Sequence, residues 1–207
     1  MRPRIGQVLF DFDGVLARYR RERRIAHLAA HAGAGFARVR EVLFESGLEA
    51  RYDAGQVDTG DYLRALGEGI GAPVDETAWL AARLAGTDPD PRALARVAAL
   101  DPALALGVLT NNGVLMARAI PQAVGSLYPR LEGRVLCSGR LGLRKPDPRV
   151  FRRALDRLGW DAASTLFVDD LFVNVQGARK AGLQADSVAD ARALGRVLKR
   201  YGLVHPP

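Results

Sequence analysis

Four short apolar runs in this chain each end on a cluster of polar residues, and that repetition limits the folds open to it. Gln7-Val8-Leu9-Phe10 runs into Asp11-Phe12-Asp13-Gly14, and Ala103 to Leu109 runs into Thr110-Asn111-Asn112-Gly113. Arg134 to Cys137 leads to a loop from Gly139 to Pro148 that carries Lys145, and Thr165 to Val168 runs into Asp169-Asp170. Their length and apolar continuity suit strands buried on both faces of a parallel sheet. Helical patterns fall between them, over Pro91 to Leu100, Val114 to Val124, up to Leu158 and up to Ala181. A last strand near Leu183 to Val188 and a terminal helix to Tyr201 follow. Strands alternating with helices predict an α/β fold, a doubly wound, Rossmann-like parallel sheet with right-handed crossovers.

The stretch from 17 to 90 breaks the alternation. Ile25, Leu28 and Ala29 are spaced as one helical face, and Phe36, Val39, Val42 and Leu43 as another. Thr59 reads as the N-cap before Tyr62, Leu63 and Leu66, and Asp75 as the N-cap before Trp79, Leu80 and Leu84. No strand pattern interrupts these helices. The predicted organisation is therefore a core of residues 1–16 and 91–207 with an inserted helical cap of 17–90 that folds back over the sheet.

Composition narrows the function classes. At 207 residues with 48% apolar and 26% charged, the chain can bury a sizeable core. No window reaches eighteen apolar residues, so no membrane partner is expected. Met1-Arg2-Pro3-Arg4-Ile5 lacks the apolar stretch of a secretory signal, and the cytoplasm is the expected compartment. Cys137 stands alone, which rules out a disulfide framework within one chain and reads as a small buried hydrophobe. The net charge of +7 comes from 30 basic residues of which only Lys145, Lys180 and Lys199 are lysine. That arginine habit, with no zinc-finger or RNA-recognition signature, does not point to nucleic acid. His27, His31 and His205 belong to no motif.

Four polar clusters at the ends of parallel strands converge on one sheet edge, where open α/β folds bind ligands. Asp11 and Asp13 stand two apart, so both project to the same side. One carboxylate can attack phosphorus, and the other can protonate the leaving oxygen and then activate water. Such close acids facing a phosphate dianion require a hard divalent cation, which Asp169 and Asp170 help to hold. Thr110 offers a hydroxyl and nearby N–H groups to a phosphoryl oxygen, and Lys145 a compact positive charge.

Asp11-Phe12-Asp13-Gly14-Val15-Leu16, Leu109-Thr110-Asn111-Asn112, Leu141 to Pro148 with Lys145-Pro146-Asp147-Pro148, and Phe167-Val168-Asp169-Asp170 with Asn174 closely resemble the four motifs of the haloacid dehalogenase-like superfamily. The long gap between the first two motifs resembles the helical-cap class. Residues 128 to 182, through Tyr128-Pro129 and Val173 to Arg179, resemble the branch of glucose-1-phosphate phosphatases and the phosphatase domain of soluble epoxide hydrolases. The resemblance implies a Mg²⁺-dependent phosphatase with Asp11 as nucleophile and Asp13 as acid/base. Thr110, Asn111 and Lys145 would bind the substrate, and Asp11, Asp13 (through its backbone carbonyl), Asp169 and Asp170 the metal. Asn174 would support the metal shell or the loop.

Within that family, 2-haloacid dehalogenases usually lack the second aspartate, and phosphonate cleavage needs a cap lysine that this chain lacks. Phosphosugar mutase activity and a catalytically silent binding module remain as alternatives. The expected partner is a small phosphate ester, a sugar phosphate first among them, bound by a monomer or homodimer. Arg18, Tyr19, Arg51 and Tyr52 are candidates for reading it, each also explicable as a surface or packing residue.

Overall fold

The computed structural model describes residues 4–204; His205 and the residues before Arg4 lie outside that range. Strand β1 (Gln7–Phe10) sends Val8 and Phe10 to one side and Leu9 to the other, all fully buried, as the two-residue period of a strand requires. After a turn comes β2 (Ala17–Tyr19), and then a helical run. It comprises α1 (Arg21–Ala32), α2 (Phe36–Arg40), a π-helical turn (Glu41–Glu45), α3 (Leu48–Asp53), α4 (Thr59–Ile70) and α5 (Glu76–Ala85). Strand β3 (Thr87–Pro89) closes this run by pairing antiparallel with β2, Tyr19 opposite Thr87. The chain continues through α6 (Pro91–Ala98), β4 (Ala105–Thr110), α7 (Met116–Val124), a 3₁₀ turn (Gly125–Arg130), β5 (Val135–Cys137) and α8 (Ser138–Leu141). It ends with α9 (Pro148–Leu158), β6 (Thr165–Asp169), α10 (Phe172–Lys180), β7 (Gln184–Ser187) and α11 (Ala191–Arg200).

Five strands form one sheet in the order β5-β4-β1-β6-β7, every pair parallel. Both faces are covered. Val8, Phe10, Val108 and Val168 pack in the apolar layer that holds Val97 of α6, Ile120 of α7 and Leu198 of α11. Leu9, Leu109 and Phe167 pack in the layer of Phe151 on α9 and Val175 on α10. This is the doubly wound sheet that the alternation predicts. The direction of winding reverses beside β1, since β4 and β5 lie to one side and β6 and β7 to the other, and a crevice opens at such a point beyond the strand ends. No helix among the described residues is long and apolar enough to cross a membrane.

Two local expectations are corrected. The 17–90 stretch is not free of strands, because β2 and β3 pair at its two ends. Each strand has three residues, too few to show alternation, and its partner is remote in sequence. The N-cap of α4 is Asp58, whose carboxylate accepts the Asp61 N–H; Thr59 is the first helical residue. Asp75 caps α5 as expected. Cys137 is buried, which pushes its thiol up to about 12 and leaves it inert.

The helical run is held together by a polar core. Arg24, 1% exposed, donates to both Glu49 oxygens at 2.5 and 3.2 Å. The Tyr62 hydroxyl donates to Glu49 Oε2 at 2.5 Å while accepting from Arg24 and from the Trp79 indole N–H. Tyr52 stacks on Tyr62 with ring centroids 4.0 Å apart. Removing one partner of a buried ion pair strands the other, so Glu49→Ala should cost about 3–5 kcal/mol of folding free energy. Replacing both partners with apolar residues, Arg24→Met with Glu49→Leu, should cost much less. Urea unfolding of the two variants checks the ordering.

Candidate active site

The C-terminal ends of β1, β4 and β6 place Asp11, Thr110 and Asp169 side by side at the winding reversal. Lys145 arrives on the loop between α8 and α9. Its ammonium, 4% exposed as a residue, lies 2.8 Å from Asp11 Oδ1 and 2.7 Å from Asp169 Oδ2. Burial acts to lower the Lys145 pKa, but the Asp11 and Asp169 carboxylates outweigh it and hold the amine charged. Burial pushes Asp11 from the ordinary 3.8 up to about 7, with Lys145 pulling it down and Asp169 pushing it further up. Asp170 is also raised, by burial and then by Asp169.

The residues behind this cluster fix it in place. Asn174 donates to both oxygens of Asp169 at 3.0 and 3.1 Å, and the Leu171 N–H donates to Oδ1. Asp169 is thus spent on Lys145, Asn174 and its own loop, while Asp11 Oδ1 takes Lys145 and the Phe12 N–H. Gly14, at φ 92°, lets the chain pass so close to Asp170 that a Cβ would sit 2.4 Å from its carboxylate oxygen. On α10, Gly177 likewise leaves room for the Pro146 carbonyl, which would be 2.0 Å from a Cβ.

Asn111, expected on the substrate, lines the cavity beside Asp13 and also has a structural task. Its side-chain amide is committed to the Lys145 main chain, accepting from Lys145 N–H at 2.9 Å and donating to Lys145 C=O at 2.9 Å. It sets the loop that delivers the amine. Thr110 is buried beside the cluster and accepts from the Asn112 amide at 2.7 Å, which leaves its own O–H free to donate. Asp13 does not join the acidic cluster. Its carboxylate accepts from Arg83 Nη2 at 2.8 and 2.6 Å and from Asn112 at 3.2 Å, so any role for Asp13 at a metal would fall to its main chain.

Arg83 and Asn112 stand at the candidate site, on the Asp13 carboxylate, and sequence reasoning did not single them out. Asn112 is legible in hindsight from its place in the second strand-end cluster. Arg83, 1% exposed on α5, carries no signal, because it reaches Asp13 only through the folded β2–β3 connection. Its guanidinium also donates to Thr87 and lies 4.2 Å over the Tyr19 ring. A cavity of about 350 Å³ opens at Asp13 and Asn112 and is walled by Tyr19, Phe44, Glu49 and Arg144. Tyr19 therefore faces the site, whereas Tyr52 is packing and Arg51 is exposed.

Asp11, Asp169 and Asp170 bring carboxylate oxygens within 4.8 Å of one another, a set of hard oxygen donors without His or Cys. That donor set fits Mg²⁺. Because the folded-state pKa of Asp11 is raised, the metal-free fold binds an extra proton and loses stability as pH rises from about 4 to about 7. Added Mg²⁺ should relieve this, raising the unfolding temperature more at pH 8 than at pH 5. Asp170→Asn removes a charge that burial and Asp169 already disfavour, so it should fold and yet lose the Mg²⁺-dependent rise. Thermal unfolding by circular dichroism with and without Mg²⁺ measures both effects.

A family model for haloacid dehalogenase-like hydrolases matches residues 5–182. The chain is 41% identical over 111 residues to the phosphatase MT3486 of Mycobacterium tuberculosis, covering 48% of this chain and 50% of that protein. It is 32% identical over 111 residues to the N-acetylmuramic acid 6-phosphate phosphatase of Pseudomonas aeruginosa, covering 53% of this chain and 43% of that one. The matched part thus spans half or less of these relatives. The fold is shared with a family enzyme of Bacteroides thetaiotaomicron solved with magnesium and inorganic phosphate, with TM-score 0.71, 21% identity and coverage of 88% of this chain and 93% of the other. The matched model, covering the strand-end clusters and four of the five strands of the sheet that gathers them, shows that the chain belongs to the haloacid dehalogenase-like hydrolase family.

Proposed function

We propose that the protein is a Mg²⁺-dependent phosphomonoester hydrolase that works through an aspartyl-phosphate on Asp11. The observation that carries this reading is the Lys145 ammonium held between Asp11 and Asp169, next to a third carboxylate, at the end of the central strand. An attacking carboxylate needs a fixed cation at the phosphoryl oxygens, and Lys145 is held in place to supply it. Both phosphatase relatives and the magnesium–phosphate complex of the fold relative support the same chemistry.

In this reading Asp11 attacks phosphorus while the bond to the leaving oxygen breaks. Thr110 and Lys145 hold the phosphoryl oxygens. Asp13, which Arg83 and Asn112 hold as a carboxylate, takes up a proton when it turns from Arg83 to the substrate, gives it to the leaving oxygen and later takes one from the water that hydrolyses the aspartyl-phosphate. Asp11 and Asp170, backed by Asp169, would hold Mg²⁺, which when bound offsets the charge of the carboxylates and the phosphate. Asp13 favours an ester over a halide, because a halide leaves without a proton. Residues 1–16 and 91–207 act as the catalytic core and 17–90 as a cap, with β2 and β3 as the connection about which it opens. In the closed arrangement the cap docks through Asp53, whose carboxylate accepts the Gly113 N–H at 2.7 Å. The substrate is a small phosphorylated metabolite, in keeping with the confined cavity, and a phosphorylated sugar fits it by relation to the Pseudomonas enzyme.

EDTA should abolish hydrolysis of p-nitrophenyl phosphate and Mg²⁺ should restore it. Asp11→Asn should remove activity toward every ester. Asp13→Asn should lose about 10²–10⁴-fold on alkyl phosphates, whose leaving oxygen needs a proton. With p-nitrophenyl phosphate the first step should persist, giving a burst of nitrophenol and a phosphorylated Asp11 peptide in the mass spectrum. Equal loss on both ester types without a burst would remove Asp13 from the acid/base role.

A further inference from the structure

The cavity beside Asp13 carries more positive charge than its own carboxylates neutralise. Its lining includes Asp13, Glu49 and Asp53 on one side of the balance and Arg21, Arg24 and Arg144 on the other. Glu49 is taken by Arg24, and Asp13 is taken by Arg83, which is not part of the wall. Asp53 is pushed up to about 7 by burial and by Glu49, so near neutral pH it supplies only part of a charge. Arg21 lies against the Phe44 ring at 4.4 Å and is otherwise exposed. Arg144 differs from Arg24 in its remaining donors: both have a buried Nε without a partner, but the Arg24 Nη groups are taken by Glu49 and Tyr62, whereas no described group of the protein accepts from Arg144, whose charge reaches Asp53 only through space.

An arginine at a cavity wall whose outer N–H groups meet no acceptor in the protein keeps them for a group that enters the cavity. Arg144 also cannot drift far. It adjoins Lys145, whose main chain is clamped in both directions by Asn111, so its root is fixed one residue from the amine that faces the phosphoryl group. A planar guanidinium offers paired N–H donors that match a carboxylate or phosphate. The wall of about 350 Å³ limits the group it meets to the far end of a small leaving group.

We propose that Arg144 binds a second anionic group on the leaving-group side of the substrate, so that the preferred substrates are small phosphomonoesters bearing a carboxylate or a second phosphate. The assignment rests on the phosphatase reading for the position of the ester, and Arg21 adds charge at the mouth of the same cavity.

Three esters of one carbon skeleton separate the possibilities: glycerol 3-phosphate, 3-phosphoglycerate and propane-1,3-diol bisphosphate. The wild type should show kcat/KM at least tenfold higher for one or both of the doubly anionic esters than for glycerol 3-phosphate, and the favoured one identifies the anion. Arg144→Gln should remove that preference mainly through KM, and Arg144→Lys should recover part of it. Binding provides a readout free of turnover. Calorimetry on the Asp11→Asn protein should show the same tenfold preference, lost when Arg144→Gln is added, with circular dichroism confirming that each variant is folded. Equal affinity of the Asp11→Asn protein for the three esters overturns the inference, as does an Arg144→Gln change that weakens all three alike. Failure of the phosphatase reading looks different: the wild type then hydrolyses neither these esters nor p-nitrophenyl phosphate with Mg²⁺, while the calorimetric comparison still decides the role of Arg144.

Discussion

The buried ammonium of Lys145 between two carboxylates is the interaction on which the site depends. A lone charge of either sign at this depth would be expelled or neutralised, and three groups of mixed sign are held only because each balances the others. The geometry is then enforced from behind. Asn111 grips the Lys145 main chain, Asn174 grips Asp169, and Gly177 lets the Lys145 loop lie against α10. Each of these residues serves the ammonium from behind or beside it. The raised pKa of Asp11 follows from the same burial, which outweighs the pull of Lys145.

The helical segment is tied to this centre at two separated points. At one, β2 and β3 pair and Arg83 reaches Asp13. At the other, the end of α3 seats on core loops. Asp53 accepts the Gly113 N–H, the Tyr52 hydroxyl accepts the Leu115 N–H, and a side chain on Gly139 would meet the Tyr52 carbonyl at 2.9 Å. The cavity lies between the two attachments, so its shape is set jointly by core and helices. Movement at either attachment alters the wall around Asp13. The setting of the Asp13 carboxylate and the shape of the cavity therefore share one mechanical element.

Much of this was legible from residue order. A strand buried on both faces must be nearly all apolar, and a polar cluster that ends such a run must emerge at the sheet edge; this located Asp11, Thr110 and Asp169. Lys145 stood out because lysine is scarce here. The short strands β2 and β3 were not legible, since three residues form a strand only when a distant partner completes the hydrogen bonds. The Asp58 cap was misplaced by one residue, because Asp and Thr are both good caps and the turn geometry selects between them.

The sequence by itself determined the winding order of strands and helices and the residue types that reach the edge, because apolar periodicity and strand-end chemistry are local properties of the chain. Only the tertiary structure decided which polar groups pair: that Asp13 turns to Arg83 rather than to the acidic cluster, that Asn111 serves the loop, and that Arg144 is left with a buried N–H unmet. Pairing depends on distances of a few ångström between segments far apart in sequence. Those distances exist only once the segments have packed together in the fold.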